Sequence, residues 1–275
     1  MSALARLLQA CLVAATGAFM LMLAASPIYW RFLNPKYAWL TLSAGGIIAL
    51  LALAVLLDRS RTVRASEAAG LVVFLLLAGT AVTLPNPFYD VVPSGLSGEE
   101  YAEWTTPGFD GAAERATPAF DDAQETTDSK IVLDGVAFTK INVAELLTAE
   151  QDQRARAGDA FVVQGQVART PELDAAGYIA VTRLFIVCCF ADAAGVAYLV
   201  DVNDPQQFPP GSWVHAAGTL APASGLPDKI PLSVPGALSA MAGDTFVLTG
   251  HRVALGPMPD IPFLFEVRYQ EPYAY

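Results

Sequence analysis

The stretch "GYIAVTRLFIVCCFADAAG" (residues 177–195) places a β-like run directly before two adjacent cysteines. Side chains alternate between the two faces of a β-strand. Arg183 and Cys189 therefore share one face while Cys188 lies on the other, so the two thiols point apart unless the chain turns. A turn after Cys189 would bring its thiol towards Asp192. We expect this segment to be a core strand that ends in a turn.

Short apolar runs separated by turn residues surround this strand, a pattern typical of small antiparallel barrels. A helix is predicted within residues 140–158, with Asn142 as its N-cap and Glu145 in its first turn. The other predicted strands are residues 160–168, 196–202, 213–220, 245–255 and 263–268. Residues 131–275 are therefore predicted to form a mainly-β domain, an OB-like barrel with one helix. An SH3-like barrel and a small sandwich are the alternatives.

The N-terminal third is far more apolar than the rest of this 275-residue chain. Three segments without charged residues predict transmembrane helices at about 7–26, 37–57 and 68–84, because a helix needs about 20 apolar residues to cross a bilayer. The first segment could instead be a cleaved signal peptide, since Arg6 precedes it. The two further segments favour a retained anchor, and residues 1–86 are predicted to be a transmembrane domain.

Basic residues orient this domain, because Lys and Arg concentrate on the cytoplasmic side. Arg31 and Lys36 lie between the first two segments. Four arginines lie on the opposite side of the predicted membrane, namely Arg6, Arg59, Arg61 and Arg64. The sequence therefore predicts a multi-pass protein of the plasma membrane whose C-terminal domain is extracytoplasmic.

Acidic residues dominate the chain after residue 86 and give the whole protein a net charge of −11. Residues 87–130 are rich in Pro, Gly and acidic residues, which predicts an acidic stalk between the two domains. Such a charge repels nucleic acid, so we expect no binding to nucleic acid. The chain holds two histidines and no G-x-S-x-G, H-E-x-x-H or Walker motif, so we expect no enzymatic activity.

Residues Arg183, Cys188, Cys189, Ala191, Asp192 and Ala193 form an R-x-x-x-x-C-C-x-A-D-A pattern. "GSWV" (residues 211–214) and the terminal "PYAY" accompany it. This order of elements resembles the YcgQ-like family of bacterial membrane proteins over nearly the whole chain. The resemblance implies a subunit of a two-component permease that works with a separate multi-span permease subunit.

The cysteine pair allows three interpretations. In the first, Cys188, Cys189 and Asp192 bind zinc or copper, with His215 or His251 as a fourth ligand, because thiolate and imidazole suit both metals. Against this, paired cysteines of structural zinc sites are usually separated by about two to four residues.

The second interpretation is a vicinal disulfide, which would be strained because neighbouring Cα atoms lie about 3.8 Å apart. The third, which we favour from the sequence, makes both cysteines small buried residues at a strand end. Arg183 is then expected to pair with Asp192, since a buried charge requires a partner.

Two functions are consistent with these patterns. The first is a membrane-anchored accessory subunit whose extracytoplasmic domain gates a permease or captures its substrate, which could be a metal ion. The alternative is a membrane protein that senses metal or redox state without a permease.

Overall fold

A computed structural model describes residues 3–57, 65–83, 120, 124–127, 129–226, 230 and 232–275. The chain divides into two compact units. One comprises Met1–Asp90 with Cys188–Phe190, and the other comprises Val91–Val187 with Ala191–Tyr275. Most of the predicted stalk, residues 87–130, lies outside the described residues.

The first unit contains three helices, α1 (Ala3–Ala24), α2 (Ala38–Leu57) and α3 (Ala65–Thr83). Among the described residues, two helical segments are long and apolar enough to cross a membrane, Leu7–Ala24 and Pro35–Leu57. Their mean hydropathies are 2.0 and 2.5. The structure therefore supports membrane association through two N-terminal helices, and the predicted third segment coincides with α3.

Helices α1 and α2 approach closely through small residues. A Cβ atom added to Gly17 would lie 2.9 Å from both the amide nitrogen of Ala49 and the carbonyl oxygen of Gly45. Small residues at such crossings allow helices in a membrane to pack backbone against backbone.

The second unit is built on a ring of five strands closed in the order β4–β5–β6–β9–β7–β4. The β6–β9 pair is parallel and the other pairs of the ring are antiparallel. The five strands are β4 (Ala160–Ala168), β5 (Tyr178–Phe185), β6 (Ala194–Asp201), β7 (Trp213–Pro222) and β9 (Phe246–Leu255). A five-stranded barrel agrees in outline with the predicted OB-like fold.

Closure of the ring depends on the contact between β4 and β5. A Cβ atom at Gly165 would lie 2.7 Å from the carbonyl oxygen of Thr182, so glycine lets the two backbones meet. The Thr182 hydroxyl then donates to the carbonyl oxygen of Gln166 at 2.9 Å.

Further strands extend the sheet outside the ring, and most of them were not among the strands predicted from the sequence. They are β1 (Gln124–Thr127), β2 (Lys130–Leu133), β3 (Val136–Lys140), β8 (Ser239–Ala242) and β10 (Phe263–Leu264). Asp134 and Gly135 both have positive φ and connect β2 to β3, as expected for a two-residue hairpin loop. β10 is shorter than the predicted strand at residues 263–268, and β5 ends at Phe185, whereas the sequence predicts a strand over residues 177–189.

The predicted helix forms as α4 (Val143–Gln151), with Asn142 and Glu145 making a capping box. The side chain of Glu145 is fully buried. Its Oε1 accepts the backbone N–H groups of Arg268 at 2.8 Å and Ala274 at 3.2 Å. Desolvation by burial raises the pKa of this carboxyl group. A second short helix, α5 (Pro171–Ala176), precedes β5.

Candidate metal centre

The candidate centre lies in the loop that joins β5 to β6, residues 186–193. Ile186 still donates its N–H to the carbonyl oxygen of Leu264 at 2.8 Å, at the side of β5 that pairs with β10. The chain then bends and forms a single 3-10 turn over Phe190–Asp192. This turn ends the alternation of the strand, which is why the two thiols need not point to opposite faces.

The turn brings the donor atoms of Cys188, Cys189 and Asp192 together. The two Sγ atoms lie 3.6 Å apart. One ligand atom from each of the three residues lies within 4.8 Å of the other two. Because the group spans five consecutive residues, the local path of this one hairpin loop determines its geometry.

The carboxylate of Asp192 is held in place by the backbone of the same loop. Its Oδ1 accepts the N–H of Val187 at 3.1 Å. A carboxylate that accepts a hydrogen bond from one backbone N–H still has lone pairs that can bind a metal ion. The hydrogen bond also limits the orientation of the carboxylate. The loop therefore provides two sulfur donors and one oriented oxygen donor.

The burial of the cysteines contradicts the interpretation favoured from the sequence. Cys188 is exposed and Cys189 is only half-buried. Neither is the fully buried residue that a packing role requires, so that interpretation was wrong. Exposure of Cys188 leaves the sulfur donors accessible from solvent.

Arg183 does not pair with Asp192, and this prediction was also wrong. Its side chain is 5% exposed. Its guanidinium donates to the carbonyl oxygens of Pro262 at 2.8 Å, Ile261 at 3.3 Å and Gln164 at 3.5 Å. It also lies over the ring of Trp213, 5.2 Å from the centroid. Burial lowers the pKa of Arg183 to about 10.

His215, the proposed fourth ligand, has other partners. Its Nε2 lies 3.1 Å from Nε2 of Gln164, and its Nδ1 lies 2.8 Å from the hydroxyl of Tyr275. Burial, and then the charge of Arg183, lower the pKa of His215 to about 4. The group of possible metal ligands found among the described residues does not include it.

His251 also lies outside this group. Its Nε2 is 3.3 Å from a carboxylate oxygen of Asp134, and its ring lies 5.3 Å from that of Phe138, tilted by 39°. His251 is the extra residue at a register shift between β7 and β9, where Ala217 pairs with Arg252 and Gly218 pairs with Gly250. Such a bulge re-aims the side chain that it adds.

Sequence patterns do not reveal the residues that hold Asp192 and the candidate fourth ligand His215 in place. The backbone amide of Val187 orients Asp192, and no side-chain pattern signals that role. Gln164 and Tyr275 bind His215 from 51 and 60 residues away, so they could be found only once the strands were paired. Period-two alternation in β4 was the one available signal for Gln164.

Part of the chain matches a known protein-family model. Residues 116–234 match the sequence model of the DUF1980 C-terminal domain. The matched residues include all of β4, β5, β6 and β7 and the loop of Cys188, Cys189 and Asp192. No curated protein and no solved structure matches the chain. The match is consistent with the YcgQ-like resemblance, and it identifies residues 116–234 as similar to the DUF1980 C-terminal domain.

Proposed function

We propose that this protein is a membrane-anchored accessory subunit of a two-component permease, and that its barrel domain captures a thiophilic metal ion. Cys188, Cys189 and Asp192 bind the ion on the extracytoplasmic side of the plasma membrane. The observation that carries the proposal is the convergence of the three ligand atoms within 4.8 Å on an accessible loop.

Soft thiolate donors select ions such as zinc and copper over the abundant hard cations. The domain's excess of acidic residues adds a long-range attraction for cations. Steering by charge and binding by thiolate act at different distances, so together they suit a domain that collects a scarce ion.

The membrane part supports an anchoring role. α1 and α2 are apolar, and no Asp, Glu, Lys or Arg lies between Leu7 and Ala24 of α1 or within α2. Ionisable residues inside a membrane usually mark ion paths. We take α3 as a third span and assign the transport path to a separate multi-span permease subunit, which binds this protein within the lipid bilayer.

The test is affinity purification of the full chain from native membranes under reducing conditions, followed by metal analysis. The proposal predicts nearly one zinc or copper ion per chain and a copurifying multi-span protein. The double variant Cys188→Ser/Cys189→Ser should lose the metal and keep the partner. Cys11→Ser is the matched control, because Cys11 is a third free thiol located in α1.

The outcomes separate the parts of the proposal. A partner without any metal contradicts metal capture. A chain that carries metal but has no partner contradicts the permease assignment and favours the stand-alone metal or redox sensor.

A further inference from the structure

The separation of the two sulfur atoms indicates which class of ion the centre takes. Two thiolates bound at about 2.3 Å to one tetrahedral ion lie about 3.8 Å apart. A linear two-coordinate ion with bonds of that length would need the sulfur atoms roughly 4.6 Å apart. The observed separation of 3.6 Å is close to the tetrahedral value and far from the linear one.

The third donor points to the same class. Asp192 offers a carboxylate oxygen beside the two sulfur atoms. Zn²⁺ is a borderline ion that accepts sulfur, nitrogen and oxygen donors in tetrahedral sites. Monovalent copper prefers soft donors and gains little from a carboxylate. A mixed set of two sulfurs and one oxygen therefore suits a divalent ion of the zinc class.

The number of donors leaves one coordination position for a ligand from outside the group. The group found among the described residues contains three donors, and both histidines of the chain have their own contacts elsewhere. Structural zinc sites are closed by four protein ligands, whereas sites that exchange a ligand keep one position open. The exposure of Cys188 places the centre where such a ligand can arrive.

We infer that the centre holds a tetrahedral divalent ion of the zinc class through Cys188, Cys189 and Asp192, and that an exchangeable ligand occupies the fourth position. The ion is handed on when a donor of the receiving protein enters at this position and the protein's own donors leave in turn. This inference rests on the proposed metal capture and adds the ion class and the route of exchange.

Cobalt(II) tests the geometry, because its visible spectrum separates tetrahedral from octahedral sites and its near-ultraviolet charge-transfer bands report thiolate bonds. The reduced full chain in detergent is titrated with Co²⁺ alone. We expect one ion per chain, thiolate charge-transfer bands and intense tetrahedral bands. Azide is then added, and the visible bands should shift with one azide per bound ion while the thiolate bands persist.

Variants assign the donors. Cys188→Ser and Cys189→Ser should each remove about half of the charge-transfer intensity or abolish binding. Asp192→Asn should keep the thiolate bands and weaken Co²⁺ binding at least about tenfold, while Cys11→Ser should change nothing. Circular dichroism checks that each variant is folded, and the azide titration of the unmodified chain needs no variant.

Three results would overturn the inference while leaving metal capture intact. The first is a tetrahedral spectrum that azide does not change, which means a fourth protein ligand. The second is an octahedral spectrum. The third is binding of Cu⁺ without binding of Co²⁺ or Zn²⁺. Failure of all three ions to bind the reduced chain would overturn the proposed metal capture itself.

Discussion

The guanidinium of Arg183 donates from Nε to the carbonyl oxygen of Pro262 at 2.8 Å, and so joins β5 to a segment 79 residues further along the chain. Three carbonyl oxygens and the face of Trp213 surround this charge. Arg183 therefore holds the segment before β10 against the barrel through hydrogen bonds. Asp192 takes no part in this and bonds the Val187 amide instead.

This separation predicts that two substitutions destabilise the fold by different amounts. Arg183→Met leaves buried carbonyl oxygens without a donor and should cost about 3 kcal/mol. Asp192→Ala loses one bond to the Val187 amide at a half-buried position and should cost about 1 kcal/mol or less. Thermal melting of the purified full chain, followed by circular dichroism, measures both. A larger loss of stability for Asp192→Ala than for Arg183→Met would contradict this separation and support an ion pair between Arg183 and Asp192.

The features that the sequence predicts correctly depend on residues that lie close together along the chain. The capping box of Asn142 and Glu145 lies within four residues, and alternation located five barrel strands to within a few residues. The proximity of Cys188, Cys189 and Asp192 was predictable because the three are close in sequence.

The features that the sequence does not predict depend on contacts between residues far apart along the chain. The bonds of Arg183 to Ile261 and Pro262 span nearly 80 residues, and β8 pairs with β6 in parallel from a loop rich in turn residues. The same limit applies to His215, whose partner Tyr275 became visible only once the C-terminal segment was placed on the barrel.

The buried carboxylate of Glu145 should control the C-terminal segment in a pH-dependent way. Glu145→Ala removes the acceptor of the Arg268 and Ala274 amides, so hydrogen exchange at both should accelerate.

The raised pKa of Glu145 means that the folded state binds more protons than the unfolded state above pH 4.5. The stability of the unmodified chain relative to Glu145→Gln should therefore fall as pH rises from 4.5. A flat or rising difference would contradict this assignment.

His215 should contribute a pH dependence of the opposite sign. Its pKa is about 4 in the folded state, against 6.5 for an unperturbed imidazole, so the unfolded state binds more protons in this window. Stability from His215 is complete above pH 6.5 and is lost as pH falls towards 4. His215→Gln should abolish this component in melting curves recorded across the window. An unchanged slope in the variant would assign the effect to another group.

Membrane orientation is predicted from the arginine distribution. A cysteine replacing Thr127, in a chain whose three native cysteines are replaced by serine, should react with a membrane-impermeant maleimide in intact spheroplasts. A cysteine replacing Ser60 is the control and should react only after lysis. Labelling of Thr127→Cys only after lysis would place the barrel in the cytoplasm.

The most direct test of metal capture is a competition titration of the reduced full chain with Zn²⁺ and a chromophoric chelator. We expect one high-affinity zinc ion per chain and an affinity at least about 100-fold lower in Cys188→Ser and in Cys189→Ser. Cys11→Ser should bind as tightly as the unmodified chain. Equal zinc affinity in the unmodified chain and in both Cys188→Ser and Cys189→Ser would contradict the account, because the thiolates of the β5–β6 loop would then not be ligands.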